Sequence, residues 1–165
     1  MIKRSRPSPF NSALEMGVRT LTILVESYPR AHDLNRLVQY DYLIVHSADA
    51  HGPPSLHPPL PMRSAELLIR RGLIESGLRL LMSRSLAQRV LSEEGVLFQA
   101  QEAAGAFLNN ITAPYLHNLR ERAKWVAQSF DQLDSGQLNK LVNQFFSAWT
   151  IEFQSVDIGT EGEPL

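Results

Sequence analysis

Cysteine is absent from the 165-residue chain. That excludes a disulfide framework, a thiol nucleophile and any zinc site built on thiolates. It also fits a reducing compartment, where disulfides are rare. Long apolar runs are missing as well, and none approaches the roughly 20 residues that a bilayer-spanning helix needs. The start of the chain reads Met1-Ile2-Lys3-Arg4-Ser5-Arg6 with no apolar stretch behind it, so no secretory leader is expected. The nine glycines are scattered and form neither G-x-x-x-x-G-K nor G-x-G-x-x-G, so no phosphate-cradling loop is encoded. Nor is there an excess of either charge. A net charge of −1 gives the molecule as a whole no long-range attraction for nucleic acid. A cytoplasmic protein without membrane contact is the expectation.

The composition that remains, 44% apolar and 20% charged, is that of a globular protein. The length suits one domain with a real core, or a compact domain with a helical extension. Thirteen of the sixteen basic residues are arginine, the better side chain for forked hydrogen bonds and desolvated interfaces.

Periodicity divides the chain. Residues 1–9 are basic, carry two prolines and read as a flexible arm. Ser12 and Glu15 form a capping-box signal, followed at helical spacing by Leu14, Val18, Leu21, Val25 and Tyr28, with Pro29 as the stop. Asp33 is the next N-cap candidate. It opens a more fully buried helix through Leu34, Leu37, Val38, Leu43, Ile44 and Val45, with Asp41 among the apolar positions. Residues 49–61 hold five prolines in nine positions, which forbids helix or central strand. A loop of that length is often functional.

Beyond it, Ser64 can cap a short helix ending near Gly72, and a second short helix carries Leu73, Ile74, Leu78, Leu81 and Met82. Alternation at Leu86, Gln88 and Val90, a Ser92-Glu93-Glu94-Gly95 turn, and renewed alternation at Val96 and Phe98 predict a β-hairpin. Two short helices followed by a hairpin have the order of a helix-turn-helix with its wing. The remainder is helical: a short piece from Glu102 to Leu108, a helix opened by Pro114, and a last helix from Asp134 or Ser135 through Phe145, Phe146 and Trp149. Ile151 and Phe153 extend it or begin a final extended piece. The fold expected is therefore mainly α. It is a winged helix with additional N- and C-terminal helices, one domain over 10–153, and a flexible acidic tail at 154–165.

No catalytic constellation emerges. His46, Ser47 and Asp49 supply a nucleophile, base and orienter by type, but sequence neighbours seldom align for that chemistry, and no strand–elbow–helix surrounds them. His46, Asp49, His51 and His57 fit no established metal-ligand spacing, so neither metal nor cofactor is expected. Arg63, Arg70, Arg71, Arg79, Arg84 and Arg89 fall in the predicted helix-turn-helix and wing. There they would contact a DNA backbone or a protein partner. Against base reading, the second short helix is mostly apolar, and Arg71 and Glu75 stand as an i,i+4 pair. Trp125 lies off the apolar stripe of its helix, as an exposed interface anchor or as a second core face.

Three stretches resemble a family. They are Phe10-Asn11-Ser12-x-Leu14-Glu15-x-Gly17-x-Arg19, then Asp41-Tyr42-Leu43-x-Val45-His46-Ser47-x-Asp49, and then Gly52-Pro53-x-Ser55-Leu56-His57-Pro58-Pro59-x-Pro61-x-Arg63. Together they resemble the middle component of bacterial ABC-three-component systems over residues 10–150. Those operons pair an SMC-like ABC ATPase with a small middle protein and an effector, and Lamassu-type antiphage defence belongs to the same group. The resemblance implies a non-enzymatic adaptor that docks on the ATPase and couples it to an effector such as a nuclease, with no small-molecule substrate. Asp41, His46, Ser47, Asp49, Ser55, His57 and Trp125 are then candidate partner contacts. The alternative for the polar residues of the motif is that they brace the long loop by hydrogen bonds. A winged-helix transcription regulator is the competing function, and a metal-dependent hydrolase using the His-rich loop is the third.

Overall fold

The computed structural model describes residues 12–59 and 63–158. Side chains are described for 12–59 and 66–147, so the predicted basic arm, Arg63's side chain and residues 159–165 lie outside. Among the described residues the chain is mainly helical, with six α-helices and one two-stranded antiparallel hairpin.

Helix α1 (Ala13–Ser27) is the central element, packed by α2, α3, α4, α5 and the hairpin. The Ser12 hydroxyl caps it by accepting the Glu15 N–H at 3.1 Å. The predicted stripe of Leu14, Val18, Leu21, Val25 and Tyr28 does not describe its buried side. Leu14 and Tyr28 are exposed, and Met16, Arg19, Thr20, Leu21, Ile23 and Leu24 are buried. A helix wrapped by several others has no single apolar face. Its buried hydroxyls are satisfied locally, Thr20 donating to Met16 O and Thr22 to Val18 O, both at 2.7 Å.

Asp33 caps α2 (Leu34–Val45), accepting the Arg36 N–H at 2.7 Å, and every residue from Leu37 to Val45 is buried. A 3₁₀ turn (Ser47–Ala50) then leads into the proline loop.

The structure corrects the next segment. Residues 63–83 are one continuous helix, α3 (Arg63–Ser83), with no turn at Gly72, so the predicted pair of short helices is not present. Gly72 is exposed mid-helix, where a missing Cβ costs propensity without breaking hydrogen bonds. A second glycine has a packing reason. A Cβ on Gly77 would stand 2.9 Å from the backbone N of Gly17 and 3.1 Å from its Cα, so α1 and α3 cross with their main chains nearly in contact.

The hairpin forms where expected, β1 (Ala87–Ser92) pairing with β2 (Gly95–Ala100) through a Glu93-Glu94 turn and Gly95 at φ +111°. His32 adds a bridge on the far side of β2, exchanging both backbone bonds with Phe98 at 2.9 and 2.8 Å. Leu86 is buried beneath the hairpin. Helix α4 (Ala103–Asn109) precedes α5 (Pro114–Phe130); of the stripe that its periodicity predicts, Leu116, Leu119, Ala123, Val126 and Phe130 are buried, whereas Tyr115 at its start is exposed. Helix α6 (Ser135–Ile158) continues without interruption through Ile151 and Phe153. It opens on a reciprocal capping box between Asp134 and Gln137, with bonds of 2.8 and 3.0 Å.

The two glycines of α3 make opposite predictions. Gly77→Ala is expected to lower stability by about 1–3 kcal/mol, because its methyl meets backbone that cannot yield easily. Gly72→Ala is expected to raise it by roughly 0.5–1 kcal/mol. Urea unfolding of both variants checks this, and a destabilised Gly72→Ala would contradict the continuous helix.

Candidate functional site

The family-like motif converges on one buried carboxylate. Asp41 of α2 is 0% exposed and lies between Arg19 of α1, 1% exposed, and Arg70 of α3, 6% exposed. Arg19 Nε donates to Asp41 Oδ1 at 2.9 Å, and its Nη2 makes a second, shorter bond to Oδ2. Arg70 Nη1 donates to the same Oδ2 at 2.5 Å. Three helices are thereby joined through one side chain. Glu15 stands 3.9 Å from Arg19, so two carboxylates balance two guanidiniums. Burial alone would lower the pKa of Arg19, but the Asp41 charge and hydrogen bonds outweigh it and raise that pKa. Burial pushes Glu15 upward. The Arg70 guanidinium lies over the Tyr42 ring, 5.3 Å from its centroid, a cation–π contact that covers its face.

The proline loop is bound back onto this cluster. Val45 O accepts from both Leu56 N and His57 N at 3.0 Å, and Ser47 O accepts from Gly52 N at 3.0 Å. The Ser47 hydroxyl donates to Pro53 O at 2.8 Å, and Ser55 Oγ accepts from Ala48 N at 3.0 Å. Tyr42 donates its hydroxyl to Asp49 at 2.5 Å. His57 stacks parallel to Tyr115 of α5 and shares a 2.7 Å hydrogen bond with its hydroxyl. His46 meets His57 edge-on at 6.1 Å. The loop's outer side is held by Arg122, whose Nη2 donates to Pro54 O at 2.8 Å. Trp125 lies against Gly52, where a Cβ would come within 2.3 Å of its indole. Glycine at 52 is therefore a demand of close approach rather than of backbone dihedral.

These placements give most of the motif's polar residues internal partners, the bracing expected as the alternative to partner contact. Asp41, His46 and Ser47 are buried, Ser55 accepts from Ala48 N, and Asp49 accepts from Tyr42 of α2. Trp125 is half-buried between the loop and Phe130. His57 and Tyr115 cover the charge cluster. The histidines do not converge, because His51 turns to Phe145 at 6.2 Å. Among the described residues, no three His, Asp or Glu side chains are grouped to hold a metal. The arginines scatter. Arg70 is committed to Asp41, whereas Arg71, Arg79, Arg84 and Arg89 are exposed. Arg71 and Arg79 each lie 3.8 Å from Glu75. Arg63 stands at the start of α3 with its side chain outside the described residues.

Arg19 and Tyr115 belong to the site and were not foreseen. For Arg19 a signal existed: it shares helical spacing with Met16 and Ile23, a lone charge on buried positions opposite a helix carrying Asp41 among apolar neighbours. Tyr115 had none, since only the tertiary fold brings it to His57.

Two predictions follow from the geometry. Asp41→Asn removes the charge that two buried guanidiniums share, leaving them, of the described carboxylates, only Glu15 at 3.9 Å from Arg19, and is expected to cost about 3–5 kcal/mol, read by chemical denaturation. The second concerns acid. His57 is lowered from 6.5 to about 4 by burial first, then by the Arg19 and Arg70 charges. His32 falls from 6.5 to about 4 through burial, Arg36 and Arg30. Between those values the unfolded chain binds more protons than the folded one, so stability declines as pH drops from 6.5 towards 4. Asp131 and Glu15, both raised by burial, act with the opposite sign in the carboxylate range. Thermal midpoints measured from pH 7.5 to 5 should therefore fall, and His57→Gln should flatten the slope. An unchanged slope would show that His57 titrates alike in both states.

No curated protein and no solved structure matches the chain. Residues 9–152 match the model of the family described as ABC-three component (ABC-3C) system Middle Component 2. That span includes every residue of the charge cluster and of the loop that covers it, and the chain belongs to this family of middle components.

Proposed function

We propose that this protein is a non-catalytic adaptor of an ABC-three-component defence system. In this proposal it docks on an SMC-like ABC ATPase of the Lamassu type and couples it to an effector, in the bacterial cytoplasm, against phage or plasmid. The observation that carries the proposal is membership of a family named for its place in a multi-component assembly, a place that implies protein partners. The motif supports it in a particular way. Its polar residues serve internal bracing, which suits a rigid connector whose contacts lie on its outer faces. One such face is on α3, where Leu68 is 77% and Ile69 56% exposed. No described helix is long and apolar enough to cross a membrane.

We further propose a winged-helix scaffold, with different boundaries from those the sequence suggested. What supports this scaffold is the order α1, His32 bridge, α2, α3, β1, β2, with the bridge pairing to β2, the sequence of elements expected of a winged helix. In this assignment α2 and α3 are the helix pair, the proline loop is an enlarged turn, and α3 is the position of a recognition helix. Exposed Arg71, Arg79, Arg84 and Arg89 on α3, its C-terminal end and the hairpin favour backbone contact with DNA as a second activity.

Expression of the tagged chain together with its neighbouring genes should give a stable complex containing the ATPase at physiological salt. Recovery of the chain alone would count against the adaptor proposal. Duplex binding by the purified chain that weakens steeply with salt would bear out the backbone contact, and selective binding of one operator as a symmetric dimer would favour the regulator instead.

A further inference from the structure

The inner face of the hairpin runs past the core and opens a groove beside α3. In an antiparallel ladder, residues directly opposite each other share a face of the sheet, and alternate residues along a strand stay on it. Ala87, Arg89 and Leu91 of β1 therefore lie on one face with Ala100, Phe98 and Val96 of β2. At its base that face is core, with Ala87, Phe98 and Ala100 buried. Towards the tip it is uncovered, Val96 being 45% and Leu91 81% exposed. Leu34 of α2, Leu78 and Met82 of α3, and Val96 and Phe98 line an open gap of about 370 Å³ there.

The charge around this apolar floor is mostly of one sign. The groove's charged residues are Glu75, Arg79 and Arg89. Glu75 is divided between Arg71 and Arg79, each 3.8 Å away, so one carboxylate serves two guanidiniums. The Arg79 side chain stays 68% exposed. Among the described residues Arg89 has neither a hydrogen bond nor an ion pair. Glu94 of the turn lines a different cleft together with Leu97, which alternates to the opposite face of β2. The surplus is thus positive, with one guanidinium on α3 and the other on β1. A sugar–phosphate backbone is read through polar and ionic contacts, to which such a floor contributes nothing. An apolar floor between two cations fits instead an apolar side chain of a protein with carboxylates beside it.

We propose that this groove docks a short segment of a protein partner, an aromatic or leucine side chain flanked on both sides by acidic residues. The apolar anchor enters the gap over Met82, Val96 and Phe98, and the carboxylates on either side of it meet Arg79 and Arg89. A guanidinium holds a carboxylate by two parallel hydrogen bonds, which orients the segment as well as retaining it. The inference rests on the adaptor reading for there being a protein partner. It assigns Arg79 and Arg89 to that partner and leaves Arg71 and Arg84 for contact with a DNA backbone. One anchor and two rim charges give modest affinity, with a dissociation constant of about 10–100 µM.

Selection of displayed random peptides of about twelve residues against the full chain tests this without the ATPase. The expected enrichment is for Phe, Trp or Leu flanked by Asp or Glu. A synthetic peptide of the enriched sequence should then bind the chain in fluorescence polarisation. Arg79→Glu or Arg89→Glu should each weaken it by about fivefold to tenfold, since an attraction becomes a repulsion. Val96→Thr, which puts a hydroxyl into the floor, should weaken it several-fold. The same peptide with its acids changed to arginine should prefer the double variant Arg79→Glu/Arg89→Glu to the wild type. All three positions are exposed, so unchanged thermal midpoints will show that the fold is intact. Failure to enrich such peptides, or binding indifferent to these substitutions, overturns the proposal. A chain that enriches none of them yet binds a DNA duplex through Arg79 and Arg89 overturns it too, and gives the groove's arginines to nucleic acid. An ATPase complex that forms while the peptides fail sinks this inference alone. Peptide binding by a chain that its neighbouring gene products do not retain sinks only the adaptor reading.

Discussion

The carboxylate of Asp41, buried between two guanidiniums, is the constraint on which the rest of the structure turns. Removing ions from water is costly, and a buried ion pair adds little net stability over well-packed apolar residues. Once buried, however, the group tolerates few arrangements. Asp41 must reach Arg19 on one helix and Arg70 on another, so α1, α2 and α3 have one mutual setting in which all charges are met. The Gly17–Gly77 crossing belongs to the same setting. Arg70 and Gly77 are seven residues apart, two helical turns, and so share the inner face of α3.

The proline loop follows from that cluster. A charged group in a low-dielectric interior needs water kept from it and its remaining hydrogen bonds filled. The loop supplies a roof, His57 stacked on Tyr115, and is itself held by Val45, Ser47, Arg122 and Trp125. Proline lowers the entropy lost when such a segment is ordered. A long connection without secondary structure can therefore be fixed by a handful of bonds, most of them to carbonyls that prolines and turns leave open.

Much of this was legible in the sequence, and what was not has identifiable causes. Caps at Ser12, Asp33 and Asp134, the hairpin, and the stripe of α5 all follow from local chemistry and were readable. The break at Gly72 was not real, because a single glycine weakens a helix by less than tertiary packing returns. That error hid the site. With 63–83 cut in two, Arg70 appears as an end-of-helix surface residue. In one helix it falls in line with Ile74, Gly77, Leu78 and Leu81, all buried, where a charge demands a partner. The stripe of α1 failed for a related reason, since a helix enclosed by several neighbours loses the one-sided periodicity on which the expectation rests.

The placement of the motif also changes what a family likeness means here. Residues such as Asp41, Ser47, Ser55 and His57 attract attention as contacts because they are polar and clustered. Yet each has its hydrogen bonds or ring contacts within the domain. Such a motif specifies a shape. Partner choice then falls to surfaces that the shape presents, which the internal chemistry leaves free to differ: the outer face of α3, the exposed arginines and the hairpin tip. A middle component built this way keeps its interior under tight constraint while its exposed faces are left to its protein partners. Leu68, Ile69 and Leu91 are exposed and take no part in the internal bracing, so these positions can change without disturbing the cluster that holds the helices together.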